Sequence, residues 1–257
     1  MTLLLDERRR AMLAEFGIAL PPALAPEPPA GELTPAPAAE AVVSARVTVP
    51  APASRPLPQP VAGVPGERPA GVQHMDWEAL AKAVAGCRAC KLCEGRRNTV
   101  FGVGDRHADW LVVGEAPGEN EDLQGEPFVG AAGQLLDNML RAVGLARGHK
   151  VYIANVLKCR PPGNRNPEPD EVAQCEPFLR RQVELLQPRV ILAMGRFAVQ
   201  SLLGSTEAIG RLRGQRHEYR GVPVVVTYHP AYLLRNLPDK AKAWADLCLA
   251  AEVAGQR

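Results

Sequence analysis

The chain has 257 residues, 46% of them hydrophobic and 5% aromatic, and a formal net charge of +2. That length accommodates one substantial domain plus extra segments, and the composition suits an ordinary α/β domain. The charge does not by itself mark a nucleic-acid binder, because sequence-independent DNA affinity comes from clustered Lys and Arg rather than from the total. The N-terminus, MTLLLDERRRAMLAEFGIAL, lacks the basic-then-apolar order of a signal peptide, and no apolar run approaches the length of a membrane span. A cytoplasmic protein without membrane attachment is therefore expected. In a reducing compartment its six cysteines read as metal ligands, reactive thiols or core residues rather than as a disulfide framework.

In chain order, residues 1–18 contain an amphipathic pattern suited to a short helix. Residues 19–73 are dominated by Pro and Ala and hold 14 of the 25 prolines, too many to bury a core. Proline removes backbone donors and biases its neighbour toward extended conformations, so this stretch is expected to be a disordered, partly polyproline-II extension that carries the N-terminal helix to a protein partner. The folded domain is expected over residues 74–257, beginning near Met75. There, apolar β-type runs alternate with helical periodicity, the pattern of a three-layer α/β/α fold around a mostly parallel sheet. Four core strands are expected, at Trp110–Gly114, Val151–Val156, Val190–Met194 and Val222–Thr227. Leu135, Leu136, Met139, Leu140 and Val143 recur at helical spacing, as do Val172, Phe178, Leu179, Val183 and Leu186. A last helix, roughly Lys240–Val253, closes the domain.

In an open α/β sheet, ligands bind at the carboxyl ends of the strands. This sequence puts Glu115, Asn155, Gly195 and His229 there. Gly114-Glu115-Ala116-Pro117-Gly118 is a turn whose glycines permit close ligand approach, although the pentapeptide alone reads first as an ordinary strand-to-loop turn with a solvated Glu. Asn155 sits inside an otherwise apolar strand, where an unsatisfied amide costs about 1–3 kcal/mol, so it is either paired or aimed at a ligand. His229-Pro230-Ala231-Tyr232-Leu233-Leu234-Arg235 places an apolar pair and a flanking Arg where a loop should be polar. Apolar wedges inserted into a base stack, beside an Arg for phosphate, give that loop a physical use. The conjunction of these strand ends carries the argument, since each residue alone has a plain structural reading.

Cys87 and Cys90 have the spacing of two thiolates on one metal, and Cys159 and Cys175 could complete a set of four. Zinc ribbons usually close with a second short-spaced pair, whereas fifteen residues separate Cys159 from Cys175. That favours iron–sulfur over zinc, though thiolate count leaves both open. Cys93 offers a competing Cys90/Cys93 pair. Cys248 falls in the closing helix, where a small buried hydrophobe is the default reading.

Four stretches, CRACKLCEGRRNTVFGVG, GEAPGENEDLQGEPFVGAAGQLL, YIANVLKCRPPGNRNPEPDE and HPAYLLR, stand in the order and spacing of a known family. Over nearly all of residues 76–253 the chain resembles the family-4, iron–sulfur uracil-DNA glycosylases, which excise uracil from DNA by cutting its bond to deoxyribose. The resemblance implies a [4Fe-4S] cluster on Cys87, Cys90, Cys159 and Cys175, with Cys93 and Cys248 as non-ligands. It implies a uracil pocket from Glu115, Ala116, Pro117, Phe128, Asn155 and His229, with Glu121 nearby as a further catalytic candidate. It also implies single- or double-stranded uracil-containing DNA as the partner, and the enzyme is expected to be monomeric. Ala116 stands where many members have Gly, and the Pro-rich extension has no counterpart in compact members. A related X-type group that crosslinks to uracil-DNA has an inserted basic loop with a nucleophilic His. Here that region reads KCRPPGNRNPEPDE, without the His or the insertion, so turnover is expected.

On that reading the target nucleotide is flipped out of the stack, with Leu233, Leu234 or Arg235 filling the gap. Phe128 stacks on the base, Asn155 matches uracil's N3-H and O4, and His229 donates to O2. Glu115 either positions water or stabilises the cationic sugar. Two rivals come from other readings of the same residues: a metal-stabilised DNA-binding or polymerase-accessory module without catalysis, and a glycosylase with another main deaminated-base substrate.

Overall fold

The computed structural model describes Arg68–Gly255. The expected N-terminal helix and nearly all of the Pro/Ala-rich extension lie outside the described residues. Within them the chain runs through α1 (Trp77–Ala85), α2 (Leu92–Gly95), β1 (Val103–Gly104), β2 (Trp110–Gly114), α3 (Glu119–Gln124), α4 (Ala131–Ala142) and β3 (Val151–Asn155). It continues through α5 (Pro169–Leu186), β4 (Val190–Met194), α6 (Arg196–Leu203), α7 (Ile209–Leu212), β5 (Arg216–Tyr219), β6 (Val222–Thr227), α8 (Pro230–Leu233) and α9 (Lys240–Gly255). Among the described residues no helix is long and apolar enough to cross a membrane.

The sheet order is β1-β3-β2-β4-β6-β5. The inner four strands are parallel and are the four expected from the sequence, with β3 ending at Asn155 rather than Val156. Their apolar runs are continuous because helices cover both faces. Side chains alternate across the sheet. Trp110, Val112, Val151, Ile153, Val190, Leu192 and Val225 therefore pack with α4 and α9, whereas Leu111, Val113, Tyr152, Ala154, Ile191, Ala193, Val224 and Val226 pack with α5 and α6.

The sheet has six strands rather than the expected four, because an antiparallel strand is added at each edge. β1 is two residues long and half glycine, too short for an apolar period to register. β5 reads Arg-His-Glu-Tyr and alternates between exposed and partly exposed positions, so it lacks the buried face that marks a strand in sequence. It is joined to β6 by Arg220 and Gly221, both at positive φ (51° and 81°), a two-residue turn whose twist matches a hairpin.

The helices start and stop where local chemistry permits. Asp76 caps α1 by accepting the Ala79 N–H at 2.8 Å. Pro169 opens α5, where its missing N–H costs nothing, and Glu171 closes a capping box by accepting from the Glu168 N–H at 2.9 Å. The chain after α4 turns at Gly144, φ 78°. Cys248 is exposed rather than buried. It follows Leu247, which is in the core, and one residue turns a helix by about 100°, carrying the thiol off the apolar face.

Packing reaches back beyond the expected boundary at residue 74. Val72, in a short 3-10 turn, is 3% exposed and packs with Leu80, Val84 and Phe178. Val72→Ala in the full-length chain should lower stability by about 1–3 kcal/mol in a denaturant titration, the cost of removing a buried branched side chain. A chain cut at Met75 forfeits the same contact. An unchanged denaturation midpoint would return the boundary to residue 74.

Candidate active site

The parallel order β3-β2-β4-β6 sets four strand ends side by side. Asn155 closes β3 and pairs with Gly114 at the end of β2. Glu115 follows β2, Gly195 follows β4 and donates its N–H to Thr227 O at 3.2 Å, and His229 follows β6. The chain goes from β2 to β3 on one side and from β4 to β6 on the other, so the point where the winding reverses lies between β2 and β4. Crevices form at such switch points. Here Glu115 spans it, its Oε1 accepting the Phe197 N–H of α6 at 3.2 Å.

Glu115, Ala116, Pro117, Glu121, Phe128, Asn155, His229 and Arg235 all line one cleft of about 520 Å³, a size suited to a small-molecule or nucleotide moiety. One wall was not assigned from the sequence: the loop between β3 and α5, which contributes Pro161, Asn164, Arg165, Asn166 and Pro167. Its signal was the polar, Pro-punctuated run after Cys159. Arg165 ties that loop to α5 by donating to Glu171 at 3.0 Å, and Glu171 is 2% exposed along its side chain.

Asn155 is 2% exposed, and its Oδ1 is buried without a hydrogen-bond partner. An orphaned buried acceptor costs free energy unless a ligand supplies a donor. A Cβ on Gly114 would lie 2.4 Å from this oxygen and 2.6 Å from the Phe128 ring, so glycine at the end of β2 makes the space in which both sit. Phe128 has φ 56°, a left-handed conformation that costs of order 1–3 kcal/mol for a bulky residue and persists only when its surroundings over-determine it. Its ring stacks on His229 with centroids 5.4 Å apart and planes 27° from parallel.

Glu121 lines the cleft, but its carboxylate is committed to main chain. Oε2 accepts from Gly118 N–H at 3.0 Å, and Oε1 from Val129 N–H at 3.0 Å and Gly130 N–H at 3.3 Å. It binds the turn after β2 to the segment that follows Phe128. Glu115 is held protonated to higher pH than an ordinary carboxyl because it is buried, an effect opposed by the Phe197 N–H and by Arg196.

His229 caps α8 with its ring: Nδ1 accepts the Ala231 N–H at 3.1 Å. A neutral imidazole whose Nδ1 accepts must carry its proton on Nε2, so the ring offers a donor and no positive charge. Burial lowers its pKa to about 4 against the opposing charge of Glu121, with Arg235 lowering it further.

The expected wedge divides. Leu233 has no exposed surface and belongs to the core beneath α8, so it is unavailable for insertion. Leu234 is 43% exposed, and Leu237, not singled out in the sequence, is 56% exposed. Leu234 follows directly on the last residue of α8, and one residue turns a helix by about 100°, which carries its side chain off the face that buries Leu233.

Cys87, Cys90, Cys93, Cys159 and Cys175 line a second cavity, roofed by Val84 and Phe178. Among the described residues no three His, Cys, Asp or Glu side chains form a ligand group for a single metal ion; the thiols surround a space instead of meeting at a point. Burial pushes Cys159 up to about 11 and Cys175 up to about 12, so thiolate here requires a cation in contact with it. Arg96 Nη1 lies 3.0 Å from Cys159 Sγ, and Lys158, wholly buried, donates to Asn155 O at 2.8 Å and Gln182 Oε1 at 2.7 Å. The donor set fits a thiolate-ligated group.

The His229 assignment has a spectroscopic consequence. An unfolded His titrates near 6.5 and this one near about 4, so as pH falls the unfolded state binds its proton first. The stability associated with the neutral ring is complete above pH 6.5 and is lost progressively down to about 4. In an NMR titration the His229 ring protons should hold the neutral, Nε2-protonated pattern through pH 6. A midpoint near 6.5 would overturn the assignment.

A family model described as the uracil DNA glycosylase superfamily matches residues 101–248. The chain is 42% identical over 186 residues to a type-4 uracil-DNA glycosylase of Archaeoglobus fulgidus, covering 69% of this chain and 93% of that protein. It is 43% identical over 170 residues to one from Saccharolobus solfataricus, covering 63% and 78%, and 45% identical over 167 residues to one from Thermotoga maritima, covering 64% and 86%. With the superfamily match spanning more than half of its length and relatives of this kind matched over most of theirs, the chain belongs to the uracil-DNA glycosylase superfamily and, within it, to the type-4 family.

Proposed function

We infer that this protein is a cytoplasmic uracil-DNA glycosylase of base-excision repair, which hydrolyses the N-glycosidic bond of a flipped-out uracil and leaves an abasic site. The observation that carries the reading is the orphaned Asn155 Oδ1, buried in the cleft at the strand ends. Uracil N3-H is the donor that oxygen lacks, and the Asn155 amide NH2 matches O4. Cytosine presents the opposite polarity at both atoms, and a site built on such matching discriminates by roughly 10⁴–10⁵.

The base stacks on Phe128. As the bond breaks, negative charge grows on the uracil ring, and the Nε2-H of neutral His229 donates to O2 as that charge develops. Glu115, anchored by the Phe197 N–H, keeps acceptor sites free, since a carboxylate offers about four, and takes the water that attacks the sugar. Glu121, with three main-chain donors on it, positions the walls rather than reacting. Leu234 and Arg235 fill the gap left by the flipped nucleotide, with Leu237 alongside.

Cys87, Cys90, Cys159 and Cys175 hold a [4Fe-4S] cluster, with Cys93 beside it as a non-ligand. When bound, the cluster supplies a cross-link and no electron transfer. Its ligands flank the loop that forms one wall of the cleft, so these four cysteines brace that wall.

Two experiments test this. On a uracil-containing oligonucleotide under single-turnover conditions, His229→Ala should lower the rate by roughly 10²–10³ with DNA affinity nearly intact, as expected for loss of one preorganised donor. Asn155→Asp should lose uracil release because an ionised carboxylate cannot donate to O4. Wild-type rates in both folded variants would refute the pocket. Purified without oxygen, the protein should be brown with close to four irons per chain. Cys93→Ser should keep them and Cys175→Ser should lose them; a colourless, active protein with one zinc would refute the cluster.

A further inference from the structure

Phe128 keeps its left-handed backbone in a segment, residues 125–130, that has no regular secondary structure to enforce it. Several contacts close on it. Glu121 takes the N–H groups just after it. Gly133, in the first turn of α4, lies so near the Phe128 carbonyl that a Cβ there would sit 1.7 Å from its oxygen. The remaining contact comes from outside the cleft. Arg147, in the turn between α4 and β3, donates from Nη1 to Pro127 O at 2.9 Å and from Nη2 to Phe128 O at 2.8 Å. Its own fork is oriented by Asp137 of α4, which accepts from Nε at 3.1 Å.

Two successive carbonyls can point at one guanidinium only if the backbone between them is turned. A planar fork with fixed donors therefore reads the turned state and no other, which a single ammonium cannot do. We propose that Arg147 is a positioning residue for base recognition: by clamping the Pro127 and Phe128 carbonyls it holds the Phe128 ring in the plane on which the extruded base stacks. Arg147 does not line the cleft, so it acts wholly through Phe128. The inference rests on the uracil pocket proposed above, with Phe128 as its stacking surface.

Arg147→Ala should lower the single-turnover rate of uracil release roughly 10- to 100-fold, the range for a displaced substrate-positioning group. Affinity for undamaged duplex, read by fluorescence anisotropy, should stay within about twofold. Arg147→Lys should fall between the two, and guanidinium at millimolar concentration should partly restore Arg147→Ala but not Phe128→Ala. A double-mutant cycle separates positioning from general loosening of the fold. In a Phe128→Ala background, Arg147→Ala should cost less than about twofold more, whereas a merely structural arginine would impose its full effect again.

The ring-current shift that Phe128 imposes on the His229 imidazole protons gives a readout independent of activity, and it should vanish in Arg147→Ala. Arg147→Ala at the wild-type rate with Phe128→Ala slowed, full additivity in the cycle, or an unchanged His229 shift would each overturn the proposal. If Arg147→Ala does not fold, Arg147→Lys carries the same comparisons. A wild-type protein that releases no uracil would instead defeat the proposed function, and the His229 shift would still decide whether the clamp exists.

Discussion

Phe128 occupies a backbone conformation that a bulky side chain adopts only at a cost, and much of the site is arranged so that it has no alternative. Gly114 gives up a side chain so that the ring and the Asn155 amide can share the space at the end of β2, and Gly133 gives up another so that the Phe128 carbonyl can approach α4. Glu121 gathers the N–H groups on one side of the residue and Arg147 the carbonyls on the other. These contacts remove freedom from a side chain that lines the cleft, so its ring is ordered by the protein alone.

The polar groups around that surface obey the same economy of alternatives. His229 is both helix cap and pocket residue. The Ala231 N–H that occupies Nδ1 also decides which nitrogen carries the proton, and burial keeps the ring neutral across the range where a free imidazole would titrate. Glu115 is drawn in the opposite direction, toward the protonated form, by the same burial, and is secured by a main-chain N–H of α6.

The cysteine cavity and the cleft are joined through a short length of chain. Asn155 ends β3 and Cys159 follows four residues later; between them Lys158 returns to hold the Asn155 carbonyl. The loop beyond Cys159 lines the cleft and then enters α5, where Arg165, Glu168 and Glu171 bind it to the helix that carries Cys175. Cys159 and Cys175 thus stand at either end of a loop that lines the cleft. A cross-link at the base of a loop restrains it without occupying the surface it presents.

What the sequence determined by itself was the part of the molecule written in short-range patterns. Apolar runs covered on both faces located all four parallel strands, because a buried strand needs no partner to look like one, and the strand ends then located Glu115, Asn155 and His229. The spaced cysteines and the family's stretches were equally legible. The edge strands were not: β1 is too short and β5 too polar, and both exist only because a neighbour supplies their hydrogen bonds. Tertiary structure alone decided which of two adjacent leucines faces solvent, that Val72 belongs to the core, and that Cys248 does not. It also decided what Glu121 and Arg147 bind, since the main-chain groups on them, 3 to 20 residues away along the chain, are brought to them by the fold.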